Sequence, residues 1–277
     1  CLSSSMLTRA GVGTITLVDR DIVETTNLQR QLLFTEEDAL SQQPKAIAAA
    51  NHLSTINSTI NIMPHVEDLN SRNIGRIIGE ADVIVDGLDN FITRYLLNDF
   101  AIKTNIPYLF AGVIAGQGNV MSVIPQKTPC LRCLFPEPPP SSSQDTCDTA
   151  GVLSPAIGIA ASCQTMDALK FITGNQNKIS PTLLTFDLWN SDSNRLEFGE
   201  PNQQCSCCGQ HIYEFLDGDI AEPLVLCGRI AVQLPSLANF DLSNAAKKSP
   251  DPANNNEDKI ERLIIKKYNI YFSIFFG

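Results

Sequence analysis

The sequence predicts an α/β fold, a mostly parallel sheet flanked by helices. Three observations lead there. Short apolar, β-rich runs alternate along the chain with helix-length amphipathic segments, which is the pattern of strands joined by helical crossovers. Two of those runs, TITLVD and DVIVDG, carry an Asp at or next to their last residue, at the strand ends where the loops of such sheets gather and ligands bind. The hydrophobic fraction, 43% of 277 residues, is ample for a sizeable core.

The elements follow in order. Leu2 to Ala10 reads as a helix closed by Gly11 and Gly13, and Thr14 to Asp19 as a buried strand. An irregular stretch runs to about Gln43. Pro44 to Asn57 has helical periodicity, with Pro at the first turn, where its missing N–H costs nothing. Ile60 to Glu67 alternates like a strand, SRNIGRIIG is a short helix and Asp82 to Gly87 a second buried strand. A helix from about Phe91 to Asn105 leads into PYLFAGVI. The next strand, GNVMSVIP, follows a Gly-rich turn and is expected to be antiparallel or mixed. PEPPPSSSQD cannot fill a helix or strand interior and reads as a loop. VLSPAIGIAASCQTMDALKFITG is a long apolar helix, and TLLTFDLWN with NRLEFGE a hairpin. The expected division is an α/β domain over 1–209, a small appendage over 210–242, and a polar linker with a compositionally distinct tail over 243–277.

Composition narrows the function. Twenty Lys+Arg against 30 Asp+Glu leave a net charge of −10. No electrostatic footprint for nucleic acid or an anionic membrane stands out, though one bound nucleotide needs only a few placed cations. No apolar run approaches the roughly 20 residues of a membrane span. The opening CLSSSMLTRAGVG is not a signal peptide and lacks an initiator Met, so an N-terminal truncation is expected. The expected compartment is the cytoplasm, where nine cysteines serve more often as metal ligands or reactive thiols than as disulfides.

Asp19 ends the second strand of what would be a mononucleotide-binding unit, where an acid holds ribose hydroxyls; position alone equally allows a turn cap. In DRDIVETTNLQRQLLF and QQPKAIAAA, Asn27, Arg30, Gln31 and Lys45 follow it. Arg30 and Lys45 could neutralise a triphosphate, although each alone would read as a solvated surface charge. Asp86 and Asp89 stand at the end of DVIVDGLDN. A carboxylate there can hold Mg2+ between phosphates, and the rival reading is a helix N-cap at Asp89-Asn90. Two CxxC pairs, Cys130/Cys133 and Cys205/Cys208, can each chelate one edge of a tetrahedron, which favours a four-cysteine zinc site over a redox pair. Cys207 leaves the choice against Cys208 open, with the spacing favouring Cys208. Cys147, in the loop before DTAGVLSP, is either an activated nucleophile or a bystander. Cys163 reads as core. His52, His65 and His211 carry no pattern.

The ordered set — strand-Asp, NLQRQ, Pro-Lys, Asp-Asn with Arg94 one helix turn on, then PCLRCLFP, CDTAGVLSP and the second Cys pair — resembles the ThiF/MoeB/HesA family of ubiquitin-activating-enzyme-like adenylyltransferases over roughly residues 1 to 234. The resemblance implies a Rossmann-like fold and ATP-dependent adenylation of the C-terminal Gly-Gly carboxylate of a ubiquitin-like sulfur-carrier protein. It implies ribose on Asp19, phosphates on Asn27, Arg30 and Lys45, Mg2+ on Asp89, and supporting roles for Gln31 and Arg94. It implies Zn2+ on Cys130, Cys133, Cys205 and Cys208, a sulfur linkage at Cys147, a homodimer and a sulfurtransferase donor. Thiazole formation in thiamine biosynthesis is the first expectation for the pathway and molybdopterin synthesis the alternative. A non-catalytic carrier-binding subunit and a nicotinamide dehydrogenase rank below. The family's glycine-rich phosphate loop would precede residue 1, because Gly11 and Gly13 fall after the first helix. The chain as it stands is therefore expected to bind ATP poorly.

Overall fold

A computed structural model describes residues 1–138 and 151–218, and the backbone of 224–225 and 232–233. Helix α1 (Leu2–Ala10) stops at Gly11, whose positive φ of 79° turns the chain into strand β1 (Thr14–Val18). The stretch after β1 holds a 3-10 turn (Thr25–Asn27) and a short helix α2 (Glu36–Leu40). Thr35 and Asp38 build the start of α2 as a reciprocal capping box, and a cap suffices to form a helix there without an apolar face. Helix α3 (Lys45–Ile56) buries Ala46, Ala48, Ala49 and Leu53, small side chains that let it lie close against β1. Strand β2 (Asn61–His65) then runs parallel to β1, pairing Thr14 with Asn61 through Val18 with His65.

A second sheet follows helix α4 (Ile74–Ile78): β3 (Ile84–Val85), β4 (Tyr108–Ile114), β5 (Gln117–Val123), β6 (Thr182–Asp187) and β7 (Asp192–Glu197), hydrogen-bonded in that order. β3 and β4 are parallel, joined by the helical crossover α5 (Phe91–Thr104). The remaining pairings are antiparallel. The α/β architecture is as expected, and among the named strands of the described residues the parallel pairs are β1–β2 and β3–β4. At β4–β5 and β6–β7 the reason is connection length: two residues separate the first pair and four the second, and links that short can only make hairpins.

Helix α6 (Leu131–Leu134), the long α7 (Ser154–Ile172) and α8 (Glu214–Asp217) complete the described body. One core cluster fills one face of the second sheet: Tyr108, Phe110, Met121 and Val123 meet Tyr95, Leu97 and Phe100 of α5, with Cys130, Cys205 and Cys207 in the same cluster. Another joins Leu7, Ile15, Leu17, Ala49 and Leu53 to Leu109 and Ala168. A small third one seats Ala156 and Ala160 of α7 on Ala111, Val120 and Phe186. No described helix is long and apolar enough to cross a membrane. Strands β8 (Leu224–Val225) and β9 (Val232–Gln233) pair antiparallel in a separate unit. The remaining residues of the expected appendage, the linker and tail, and Cys147 lie outside the described residues.

Candidate nucleotide site and cysteine centre

Asp19 leaves β1 fully buried. Its Oδ1 accepts the Asp21 N–H at 2.8 Å, and its Oδ2 has no partner among the described residues. Burial pushes its pKa well above the ordinary carboxylate range, against the pull of Lys45. Lys45, the first residue of α3, is 1% exposed, and its Nζ reaches Asp21 Oδ2 at 3.3 Å while its backbone N–H donates to the Asp21 carbonyl at 2.7 Å. Asp21 thus ties the end of β1 to the start of α3. A second acid two residues past a strand end reads as a turn residue, and nothing in the sequence pointed to this pairing.

Asp89 joins the group. Burial raises its pKa, and the charges of Arg94 and Lys45 pull it back. Asp19 feels Asp89 as well. The rival N-cap role falls to the neighbour: Asn90 Oδ1 accepts the Thr93 N–H at 2.9 Å and opens α5. Asp89 is therefore not consumed by capping. Buried Arg20 stands in the field of Asp68, Asp21, Asp19 and Asp89. The N-terminal end of α1, where helix N–H groups favour anions, lies in electrostatic reach of Asp19 and Lys45.

The other expected residues divide. Gln31 is 1% exposed with Oε1 unpartnered among the described residues. Asn27 is buried, and its Oδ1 accepts the Glu24 N–H at 3.0 Å, so it also shapes its own turn. Arg30 is partly exposed, with Nη1 donating to the Thr26 carbonyl at 3.1 Å. Arg94 is buried and committed: Nε meets Asp86 Oδ2 at 3.2 Å, Nη2 donates to the Ala111 carbonyl at 2.8 Å and to the Leu88 carbonyl, and the guanidinium lies over Phe91 and Phe110. It fixes the Asp86–Asp89 loop to β4. Two helpers invisible in the sequence complete that brace. Tyr108 OH donates to Asp86 Oδ2 at 2.6 Å, and Gln164 Nε2, from α7, donates to the Asp86 and Leu109 carbonyls at 2.8 Å each.

The two CxxC pairs meet. Their Sγ atoms all lie within 4.8 Å of one another, with Cys130–Cys205 at 3.7 Å, Cys130–Cys133 at 3.9 Å and Cys133–Cys208 at 3.3 Å. A tetrahedron with metal–sulfur arms of about 2.3 Å has edges of about 3.8 Å, so the cluster fits a thiolate-bound zinc-sized ion. Cys207 accepts a hydrogen bond from Asn98 Nδ2 at 3.3 Å and stands outside the tetrad, which takes Cys208. Cys163 is only half-buried and lines a cavity of about 260 Å3 with Asp167, Lys170 and Arg195. His52 pairs with Asp38 at 2.8 Å, remote in role from either centre.

The ThiF family model matches residues 1–207. "Sulfur carrier protein ThiS adenylyltransferase" of Bacillus subtilis is 42% identical over 236 residues, covering 84% of this chain and 69% of that protein. "Sulfur carrier protein adenylyltransferase" of Thermus thermophilus is 34% identical over 208 residues, 73% of this chain and 76% of the relative. The chain spans under half, 45%, of "Adenylyltransferase and sulfurtransferase MOCS3" of Danio rerio, at 35% identity over 76% of its own length. Among solved structures, E. coli MccB determined with ATP superposes with a TM-score of 0.62 at 25% identity, over 75% of this chain and 62% of MccB. The match over residues 1–207 includes both the Asp19–Lys45–Asp89 group and all but the last residue of the cysteine tetrad, and the chain belongs to the ThiF family.

Proposed function

We propose that this chain is the adenylating part of an enzyme that transfers AMP from ATP to the C-terminal Gly-Gly carboxylate of a ubiquitin-like sulfur-carrier protein, for thiazole formation in thiamine biosynthesis. The single observation that carries the reading is buried Asp19 at the end of β1, its Oδ2 unpartnered among the described residues and within the electrostatic reach of Lys45 and Asp89, in a chain 42% identical to a ThiS adenylyltransferase. The carrier carboxylate attacks the α-phosphate and pyrophosphate leaves. The attacking oxygen is already ionised, so no general base is needed; the barrier is the meeting of two anions, which placed cations offset.

The proposed roles are as follows. Asp19 Oδ2, buried and unpartnered among the described residues, suits a ribose hydroxyl donor. Lys45, held at the head of α3, faces the phosphates with Arg30, while Asn27 and Gln31 supply polar contacts. Asp89 holds Mg2+, which when bound neutralises charge spread over the phosphates. Arg94 positions the Asp86–Asp89 loop. Cys130, Cys133, Cys205 and Cys208 hold a structural Zn2+. Cys147 carries the sulfur linkage. The enzyme is a cytoplasmic homodimer served by a sulfurtransferase. A molybdopterin-type carrier is the second reading, favoured by the MOCS3 relatives.

The test is ATP–pyrophosphate exchange by the full-length protein, offered a thiamine-type and a molybdopterin-type carrier separately. Exchange with the first alone is expected, and Asp89→Ala should lower it at least about 100-fold. Exchange with neither carrier sinks the adenylyltransferase reading. Full carrier thiocarboxylation by Asp89→Ala would leave a carrier-binding role in its place.

A further inference from the structure

Asn98 sits in the middle of α5 at 0% exposure, and its one side chain serves two segments far apart in the chain. Oδ1 accepts the N–H of Leu131, the residue after Cys130, at 2.8 Å. Nδ2 donates to Sγ of Cys207, the residue before Cys208, at 3.3 Å. Each cysteine turn fixes spacing within its own pair, through Cys133 N–H to the Cys130 carbonyl and Gly209 N–H to the Cys205 carbonyl, both at 3.0 Å. Neither turn sets the distance between the pairs, and a tetrahedral ion requires that distance too.

The amide is suited to this job. It presents an acceptor and a donor on one planar group, locked by burial. Its neighbours each dock one of the two segments: Tyr95 OH donates to the Phe135 carbonyl at 2.7 Å, and Asp99 bonds Cys207 and accepts the Phe215 N–H at 3.0 Å. Of these three side chains, Asn98 alone bonds to residues adjacent to a ligand in both pairs.

We propose that Asn98 is the positioning residue of the cysteine centre, one buried amide that sets the two CxxC turns in register for a metal ion. This rests on the reading of the tetrad as a zinc site. Outer contacts of this kind are worth about 10–100-fold in metal affinity.

The experiment compares Zn2+ release from the 277-residue chain to a metallochromic chelator, together with the ligand-field spectrum of the Co2+-substituted protein. Asn98→Ala should release zinc at least about 10-fold faster and alter the Co2+ bands. Asn98→Asp keeps the acceptor for Leu131 and loses the donor, and Cys207→Ala removes the donor's target together with that thiol's contacts to Asp99 and Cys130. Both should retain one ion per chain and release it faster than wild type, by less than Asn98→Ala. Release and spectra like wild type in Asn98→Ala overturn the proposal while leaving the zinc site standing. Should that variant fail to fold, wild-type behaviour in both milder variants overturns it equally. A wild-type chain that takes up neither Zn2+ nor Co2+ stoichiometrically removes the zinc reading, and the proposal with it.

Discussion

Asp68 stands half-buried in the carboxylate cluster beyond β1 and β2. Burial pushes its pKa up to about 6, with Arg20 pulling it down and Asp21 adding to the rise. An unfolded Asp titrates near 3.9. The folded state therefore holds the proton more tightly, so this contribution to stability is complete below about pH 4 and is lost as pH rises through about 6. Asp19, Asp86 and Asp89 are raised in the same direction, so the wild-type decline has several sources. Asp68→Asn keeps the shape and removes one titration. Its urea midpoint is expected to fall less steeply between pH 4 and 7 than that of the wild type, and parallel profiles would refute the assignment. Such residues explain what the sequence could and could not disclose. Asp19, Lys45 and Asp89 were legible in the sequence by their order along the family resemblance, since each alone has a turn-cap, surface-charge or N-cap reading as well. Asp21, Tyr108 and Gln164 were not, because each acts by reaching across elements that only the fold brings together.

Helix α5 is the element on which both centres lean. Its first turn carries the Asn90 cap and Arg94, next to the Asp86–Asp89 loop, and its middle carries Asn98 and Asp99 against the cysteine turns. Asn90→Ala removes a cap acceptor, for which helices lose about 1 kcal/mol. The expected result is a lower urea midpoint at unchanged slope. In the full-length protein ATP binding should weaken as well, because the residue that the cap spares from capping is Asp89. A stability loss with undisturbed nucleotide binding would separate the cap from the site. The strands and long helices of this fold were readable from periodicity, since α3, α5 and α7 repeat apolar residues over several turns. Helix α2 was not: five residues with no buried side chain give no period, and its one signal was the Thr35-to-Asp38 capping box. The switch from parallel to antiparallel pairing was readable only where turns were short, at β4–β5 and β6–β7.

At the scale of the whole molecule, the cysteine tetrad closes a long loop. Cys130 and Cys205 are 75 positions apart, and between them lie α7, β6 and β7. An ion holding both pairs shortens the unfolded chain's freedom as a cross-link does and adds its own binding energy, about 10 kcal/mol or more in small thiolate sites. The tetrad also lies inside the main apolar cluster, with Cys130, Cys205 and Cys207 packed among Tyr95, Leu97, Phe100 and Phe110. With an ion bound by the four cysteines as proposed, its removal would loosen this cluster from within. The loss should not spread evenly. Ile15, Leu17, Ala49 and Leu53 belong to the other large cluster, which shares no cysteine ligand. Chelation is therefore expected to lower the melting temperature by about 10 °C or more, taking a few degrees per kcal/mol for a body of this size. Hydrogen exchange should accelerate in α5, α6 and α8 and remain slow in β1 and α3. Protection lost equally in both clusters would mean that the chain melts as one unit, with the ion holding the whole fold and not the lobe around α5.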